Sequence, residues 1–259
     1  MKPKVAFFDF ASCEGCQLQI ANLEENVIDV AEVVDVVAFR EVMKEHSDDY
    51  DIAFVEGSIC RPIDEKRLKE IRKNAKILVA LGACAHLGGV QKMGNQWTPE
   101  QNKKEVYPNA DKKIISDNNE FFEKPKHKAL DEIVKVDYVI PGCPIDKTEF
   151  VKVVSNLIHG KKPTLPDYPV CVECKKAENI CLFTIGKFCM GPIARAGCGA
   201  ICPKYGSECV ACRGYISNPH EKAQFDVLEK YGLNPDEIMK RKTMYMFRHH
   251  EEDQEKKEA

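Results

Sequence analysis

The sequence predicts an α/β fold: a mainly parallel sheet covered by helices, followed by a small irregular region of another kind. Three observations carry this. Up to about residue 160, short apolar runs alternate with amphipathic segments, the pattern of strands and crossover helices. The stretch "GKKPTLPDYPV" (160–170), with three prolines, then reads as a linker. Beyond it the periodicity fades, and eight cysteines fall between positions 171 and 212. The expected division is therefore 1–160 and 161–259.

Taken in order, "KVAFFDF" (4–10), "DIAFVEG" (51–57), "AKILVALG" (75–82) and "VDYVIPG" (136–142) read as buried strands, with "AEVVDVVAF" (31–39) as a fifth. Helices are expected over 15–28, 64–74 and 146–159. Pro62 and Asp64 open the second, and Leu68 and Ile71 share one of its faces. Residues 86–130 are polar and broken by glycine and proline, so most of this stretch reads as a long surface excursion, solvated or in contact with a partner. Trp97 within it either anchors a partner or closes its own loop. "EKAQFDVLEKYGL" (221–233) reads as a helix. The tail "HHEEDQEKKEA" is expected to be mobile, with His249 and His250 on a solvated face.

Composition narrows the function. The 259 residues are 44% hydrophobic, enough for one large domain or a medium one with an attachment. No apolar run approaches the roughly 20 residues that span a bilayer. The opening "MKPKVAFFDF" reads as a strand, with neither a signal peptide nor a twin-arginine leader, which predicts a cytoplasmic chain. A formal charge of -3 with interspersed signs offers no basic field for nucleic acid. In a reducing compartment, thirteen cysteines point to metal or redox chemistry before disulfides.

The first thiols follow strands. Cys13 and Cys16 stand in "SCEGC", Cys84 in "GACAH" and Cys143 in "PGCP". In a parallel sheet, loops leaving the carboxyl ends of the strands converge on one crevice, so four thiols from three loops meet. Gly15, Gly82 and Gly142 let the backbone approach a bulky inorganic core. Four thiolates suit zinc or an iron-sulfur cluster. Cys60, in "GSICRP", reaches the same edge and reads as a buried thiol behind the ligands. Glu14 lies between two ligands, and Glu56 and His86 are close by. An exposed loop acid, a satisfied strand-end acid and a loop-capping histidine are the plain readings, with tuning of a redox centre the sharper one for Glu14.

The second group is Cys171, Cys174, Cys181, Cys189, Cys198, Cys202, Cys209 and Cys212, enough for two four-thiolate sites. Pairs separated by two residues serve zinc ribbons and ferredoxins alike. The total favours iron. Twelve thiols divide into three sets of four, and the one left over is Cys60.

"CEGC", "LGACAHLGG", "PGCP", the block "CVECKKAENICLFTIGKFCMGPIARAGCGAICP" and "CVACRG" together resemble the small, electron-transferring subunit of nickel-iron hydrogenases in its cytoplasmic form, over about residues 3–215. The N-terminal half is also similar to the 20 kDa subunit of respiratory complex I, which carries adjacent cysteines where Cys13 and Cys16 stand apart here. The resemblance implies a flavodoxin-like domain and three 4Fe-4S clusters. The proximal one would be held by Cys13, Cys16, Cys84 and Cys143. Motif order gives Cys171, Cys174, Cys181 and Cys189 to the distal cluster and Cys198, Cys202, Cys209 and Cys212 to the medial one, with an exchange of Cys189 and Cys198 left open. Membrane-associated members begin the distal set with histidine and have three medial cysteines, so Cys171 and the fourth medial thiol are departures from that pattern. Implied partners are a nickel-iron large subunit, which carries the hydrogen chemistry, and an iron-sulfur or flavin acceptor subunit. A relay that has lost its hydrogen-active partner and a zinc-stapled structural protein remain as alternatives.

Overall fold

A computed structural model describes residues 2–24, 30, 32–109 and 125–258, the last eight by backbone alone. Five strands form one sheet: β1 (Lys4–Asp9), β2 (Asp35–Phe39), β3 (Ile52–Glu56), β4 (Ile77–Leu81) and β5 (Tyr138–Ile140). Their order is β2-β1-β3-β4-β5 and every pairing is parallel. This is the flavodoxin-like order, and it places a crevice at the carboxyl ends of the strands. β3 is buried at all five positions, as a strand covered on both faces must be. One face packs Phe7, Phe54 and Phe150 together, with ring centroids 5.2 Å apart for the first two and 5.3 Å for the last two. The other face buries Ala53, Val55, Leu68 and Leu78.

The helices follow their local signals. α1 (Gly15–Ala21) begins within the first cysteine pair; residues 25–28 of the expected helix lie outside the described residues. α2 (Pro62–Asn74) has proline in its first turn, and Asp64 accepts from the Arg61 backbone N–H. Short helices α3 (Gly82–Leu87) and α4 (Pro99–Val106) come next. α5 (Lys147–Ile158) is capped by Asp146, whose carboxylate accepts from the Glu149 N–H at 2.8 Å.

Over its described parts, 86–109 and 125–130, the excursion is more structured than its polarity predicts; residues 110–124 lie outside the described residues. Ala129 and Leu130 are fully buried, and Lys92 is buried in an ion pair with Glu132 at 2.6 Å. A charged side chain satisfied by a distant partner leaves no local trace in hydropathy. The proline stretch is likewise tied down: Asp167 pairs with Arg195, and Pro169 bridges to Arg195.

Past it come α6 (Val170–Lys176), α7 (Ile201–Lys204), α8 (Glu221–Lys230) and α9 (Pro235–Glu258). Here Phe188, Met190, Ile193 and Leu228 build a second apolar cluster. The tail expected to be mobile continues α9, and His249 stacks on Tyr215 with centroids 5.0 Å apart, while His250 lies against Phe247. The solvated face expected for these histidines is thus corrected: both are half-buried against aromatic rings. Arg213, 2% exposed, seams the two clusters. It donates to the Glu149 carboxylate at 2.7 and 2.9 Å and to the carbonyls of Pro141 and Ala196 at 2.8 Å each.

Candidate functional site

Thiols from three strand-end loops gather over the sheet crevice. Gly82 has φ +77°, and a Cβ there would collide with Cys16 Sγ, while one at Gly89 would come within 2.7 Å of Cys84 Sγ. The backbone therefore lies against these sulfurs as only glycine permits. The Ala83 N–H donates to the Gly142 carbonyl at 2.7 Å, tying the Cys84 loop to the Cys143 loop. Burial pushes the Cys84 thiol up to about 12, with lesser contributions from Cys143, Glu56 and Cys13. Burial likewise raises Cys16, with Glu56 next. Buried thiols that repel one another stay protonated unless cations enter among them, which is the electrostatic character of a metal-thiolate site.

Glu56, 2% exposed, accepts from the N–H groups of Cys16 at 3.2 Å and Gln17 at 2.9 Å, so it orients the first turn of α1 behind the ligands. Burial raises its carboxyl, against the pull of those two bonds. Glu14 takes φ 60° and pairs with Arg40 at 2.7 Å, where Asp9 also binds at 3.0 Å. Its charge is thus offset locally. His86 ends α3; its carbonyl accepts from Arg248, and burial lowers its imidazole to about 4. Trp97 is half exposed.

The later cysteines fall into two neighbourhoods. A Cβ on Gly191 would meet Cys189 Sγ at 3.1 Å and Cys171 Sγ at 3.3 Å, so these two thiols flank one point. Burial raises Cys171 to about 11, followed by the charges of Cys189, Cys174 and Cys181. In the other neighbourhood, Cys198, Cys202, Cys209 and Cys212 line a largely apolar cavity of about 320 Å³ together with Cys143. Cys212 is pushed up to about 12 by burial and then by Cys143, Cys198 and Cys202, offset in part by a hydrogen bond from the Cys143 backbone N–H. Cys189 and Cys209 bridge as neighbouring strands do, and the Met190 N–H donates to the Cys209 carbonyl at 2.8 Å.

Three further residues organise the site. Glu173, inside the Cys171–Cys174 pair, accepts from the N–H groups of Gly197 at 2.8 Å and Ala200 at 3.2 Å, setting the Cys198 loop. Burial raises the phenol of Tyr245 on α9, and the neighbouring Cys143 raises it next. Arg213 carries the seam beside Cys212. Glu173 has a sequence signal in its place between two candidate ligands, whereas Tyr245 lies 102 positions from Cys143 and has none.

The donor set fits iron-sulfur clusters. A zinc ion at about 2.3 Å from each sulfur would draw four Sγ atoms within roughly 4 Å of one another. Among the described residues, no three Cys, His, Asp or Glu side chains close on a point of that kind. Cys143, Cys198, Cys202, Cys209 and Cys212 instead stand around a space of about 320 Å³, and the Gly191 N–H donates to the Cys189 sulfur at 3.3 Å. Cys60 is half-buried, with its sulfur against His127.

Comparison with known proteins agrees. The family model described as NADH ubiquinone oxidoreductase, 20 Kd subunit, matches residues 13–157. Sulfhydrogenase 2 subunit delta of Pyrococcus furiosus is 32% identical, over 92% of this chain and 97% of that relative. The NAD-reducing hydrogenase HoxS subunit delta of Cupriavidus necator is 31% identical, over 64% of this chain and 83% of the relative. Among solved structures, a chain of an NAD+-reducing [NiFe]-hydrogenase in the H2-reduced state superposes with a TM-score of 0.56 at 29% identity, covering 64% of this chain and 96% of that one. The chain therefore belongs to the family of the 20 Kd subunit of NADH ubiquinone oxidoreductase, and within it to the small subunits of hydrogenases of the nickel-iron type.

Proposed function

We propose that this chain is the electron-relay subunit of a cytoplasmic nickel-iron hydrogenase complex. It would hold three 4Fe-4S clusters between a large subunit with the hydrogen-active centre and an acceptor subunit carrying iron-sulfur or flavin. Residues 1–160 would hold the proximal cluster through Cys13, Cys16, Cys84 and Cys143. Residues 161–259 would hold a medial cluster through Cys198, Cys202, Cys209 and Cys212 and a distal one through Cys171, Cys174, Cys181 and Cys189.

One observation carries the reading: the thiol sets lie side by side in series. Cys143 shares one cavity with Cys198, Cys202, Cys209 and Cys212, which links the first set to the second. The backbone bridge between Cys209 and Cys189 links the second to the third. Neighbouring stations suit a one-electron relay, in which electrons tunnel from cluster to cluster; the Gly191 contact supports placing Cys189 with Cys171, and the shared cavity supports placing Cys198 with Cys212.

The clusters, once bound, would supply reversible one-electron chemistry at potentials anywhere between about -700 and +450 mV, depending on surroundings. The protein provides those surroundings. Glu56 and the α1 N–H groups fix the first ligand turn, Glu173 fixes the Cys198 loop, and Arg213 locks the two halves at a fixed separation. Phe188, Met190 and Ala200, all fully buried, belong to the apolar packing around the later thiols. Among the described residues no helix is long and apolar enough to cross a membrane.

Oxygen-free native purification tests the proposal. A nickel-containing chain should copurify, and hydrogen gas should bleach the visible absorbance of this subunit. A partner without nickel, or absorbance indifferent to hydrogen, would contradict it.

A further inference from the structure

Cys60 takes no place in the relay, yet it is not a bare buried thiol. Its sulfur lies 2.7 Å from His127 Nδ1 and 3.4 Å from the Ser58 hydroxyl. The contact joins residues 67 positions apart, and the backbone holds both ends of it. Ser58, fully buried, exchanges two hydrogen bonds with Ala11 at 3.0 and 3.1 Å. Ile59 and Lys128 exchange two more at 2.9 and 3.0 Å, clamping Cys60 beside His127. Asn95 grips the histidine from the other side: its carbonyl accepts from the His127 N–H at 2.8 Å, and its amide donates to the His127 carbonyl at 3.0 Å.

We propose that Cys60 and His127 form a thiolate-imidazolium pair, a nucleophilic modification site for soft electrophiles outside the three thiol sets. With the neutral ring protonated on Nε2, Nδ1 accepts the thiol proton, and the Ser58 hydroxyl donates to the thiolate so formed. Histidine at hydrogen-bond distance brings a cysteine from about 8.5 into the range of about 3.5–7.5. Arg61, which binds Asp64 at 3.0 Å on α2, also interacts coulombically with Cys60, and a cation there favours the thiolate. Lys128, next to His127, binds Glu65 at 2.7 Å. The site also has an address: Ala11, paired to Ser58, lies two residues before Cys13, so an adduct on Cys60 sits behind the first ligand loop.

The reaction is simple displacement. With iodoacetamide, the Cys60 sulfur attacks the methylene carbon, a C–S bond forms, the C–I bond breaks and iodide leaves. The proton stays on His127 until solvent takes it.

The proposal rests on the other twelve cysteines being ligands, and one experiment separates the two claims. The full-length chain, purified with its iron and without oxygen, is treated briefly with limiting iodoacetamide from pH 5.5 to 9. It is then denatured, counter-labelled with N-ethylmaleimide and mapped by mass spectrometry. First-label incorporation at Cys60 should rise with a midpoint below pH 7. At pH 6 the wild type should react roughly five- to tenfold faster than H127Q, the gain in thiolate being partly offset by its lower nucleophilicity. C60S should lose the adduct and keep its iron. A Cys60 midpoint near 8.5, equal rates in H127Q, or no adduct at Cys60 overturns the pair. First label spread over the other twelve cysteines would instead count against the cluster reading, while the Cys60 profile still decides the pair.

Discussion

The five-stranded sheet and the stretch from 170 to 215 both hold thiols at fixed points, but with different material. The sheet does so from continuous ladders: β3 pairs five residues with each neighbour, and both faces are packed with apolar side chains. The cysteines hang from its strand ends on a frame that is already complete. The later stretch has only isolated bridges, such as Cys189 with Cys209 and Ala194 with Tyr215, and backbone turned through positive φ at Ala200 and Ala211. Its apolar cluster takes in four cysteines of the candidate ligand sets, Cys189 and Cys209 as buried members and Cys174 and Cys198 packed against them, where the sheet's cluster takes in one, Cys16. The comparison teaches that the first thiol set is mostly added to a fold built by apolar strands, whereas the later two sets supply much of the core they stand in.

The largest expected effect follows directly. Stripping iron without oxygen should leave amide protection in β1, β3 and β4 nearly unchanged and lower it by about a hundredfold or more across 170–215, because ligand binding there contributes to folding. Equal loss in both regions, read by hydrogen exchange, would erase the distinction.

Next comes the seam. R213M leaves Glu149 buried without its cation, at a cost of about 3–5 kcal/mol. Chemical unfolding should then resolve two transitions where the wild type shows one. A single transition shifted as a whole would mean the regions remain coupled by other contacts.

Acids near the first set sharpen the contrast between buried and exposed charge. Glu56 is buried against Cys16, whereas Glu14 is offset by Arg40. E56Q should raise the proximal potential, since removing negative charge favours the reduced cluster, and E14Q should raise it less. Burial raises the Glu56 carboxyl. The wild-type potential should therefore climb as pH falls and Glu56 takes up its proton, and the E56Q profile should lose that slope. Redox titration at several pH values reads both.

The smallest effect lies at the amino end of the central strand, away from the crevice. The Lys76 ammonium at 2.7 Å, followed by the Lys4 N–H at 2.8 Å, holds the Asp51 carboxyl below its usual value. A depressed carboxylate stabilises the fold fully above its unfolded pKa and loses that contribution as pH falls through the folded one. D51N should cost up to about 1 kcal/mol at pH 7, with the gap to wild type closing below about pH 4. Urea unfolding at pH 7, 5 and 3.5 checks the sign.

The sheet was legible because strand signals are local. The runs at 52–55 and 77–81 announce themselves by unbroken apolar sequence, and the thiols after them fall at the crevice by topology alone. The polar run holding Lys92 gave no such signal, since its burial depends on Glu132 forty positions away. Nor did the helical continuation through His249 and His250, whose ring contacts come from Tyr215 and Phe247. The Cys60 pair was half visible: burial of the thiol could be read from its strand-end position, but its histidine arrives from the far end of the excursion.

The central claim is that three four-thiolate stations stand in series within one chain. Iron and acid-labile sulfide per polypeptide, measured after oxygen-free purification, test it most directly. The expected result is about twelve of each. About four of each, or zinc in place of iron, would contradict it.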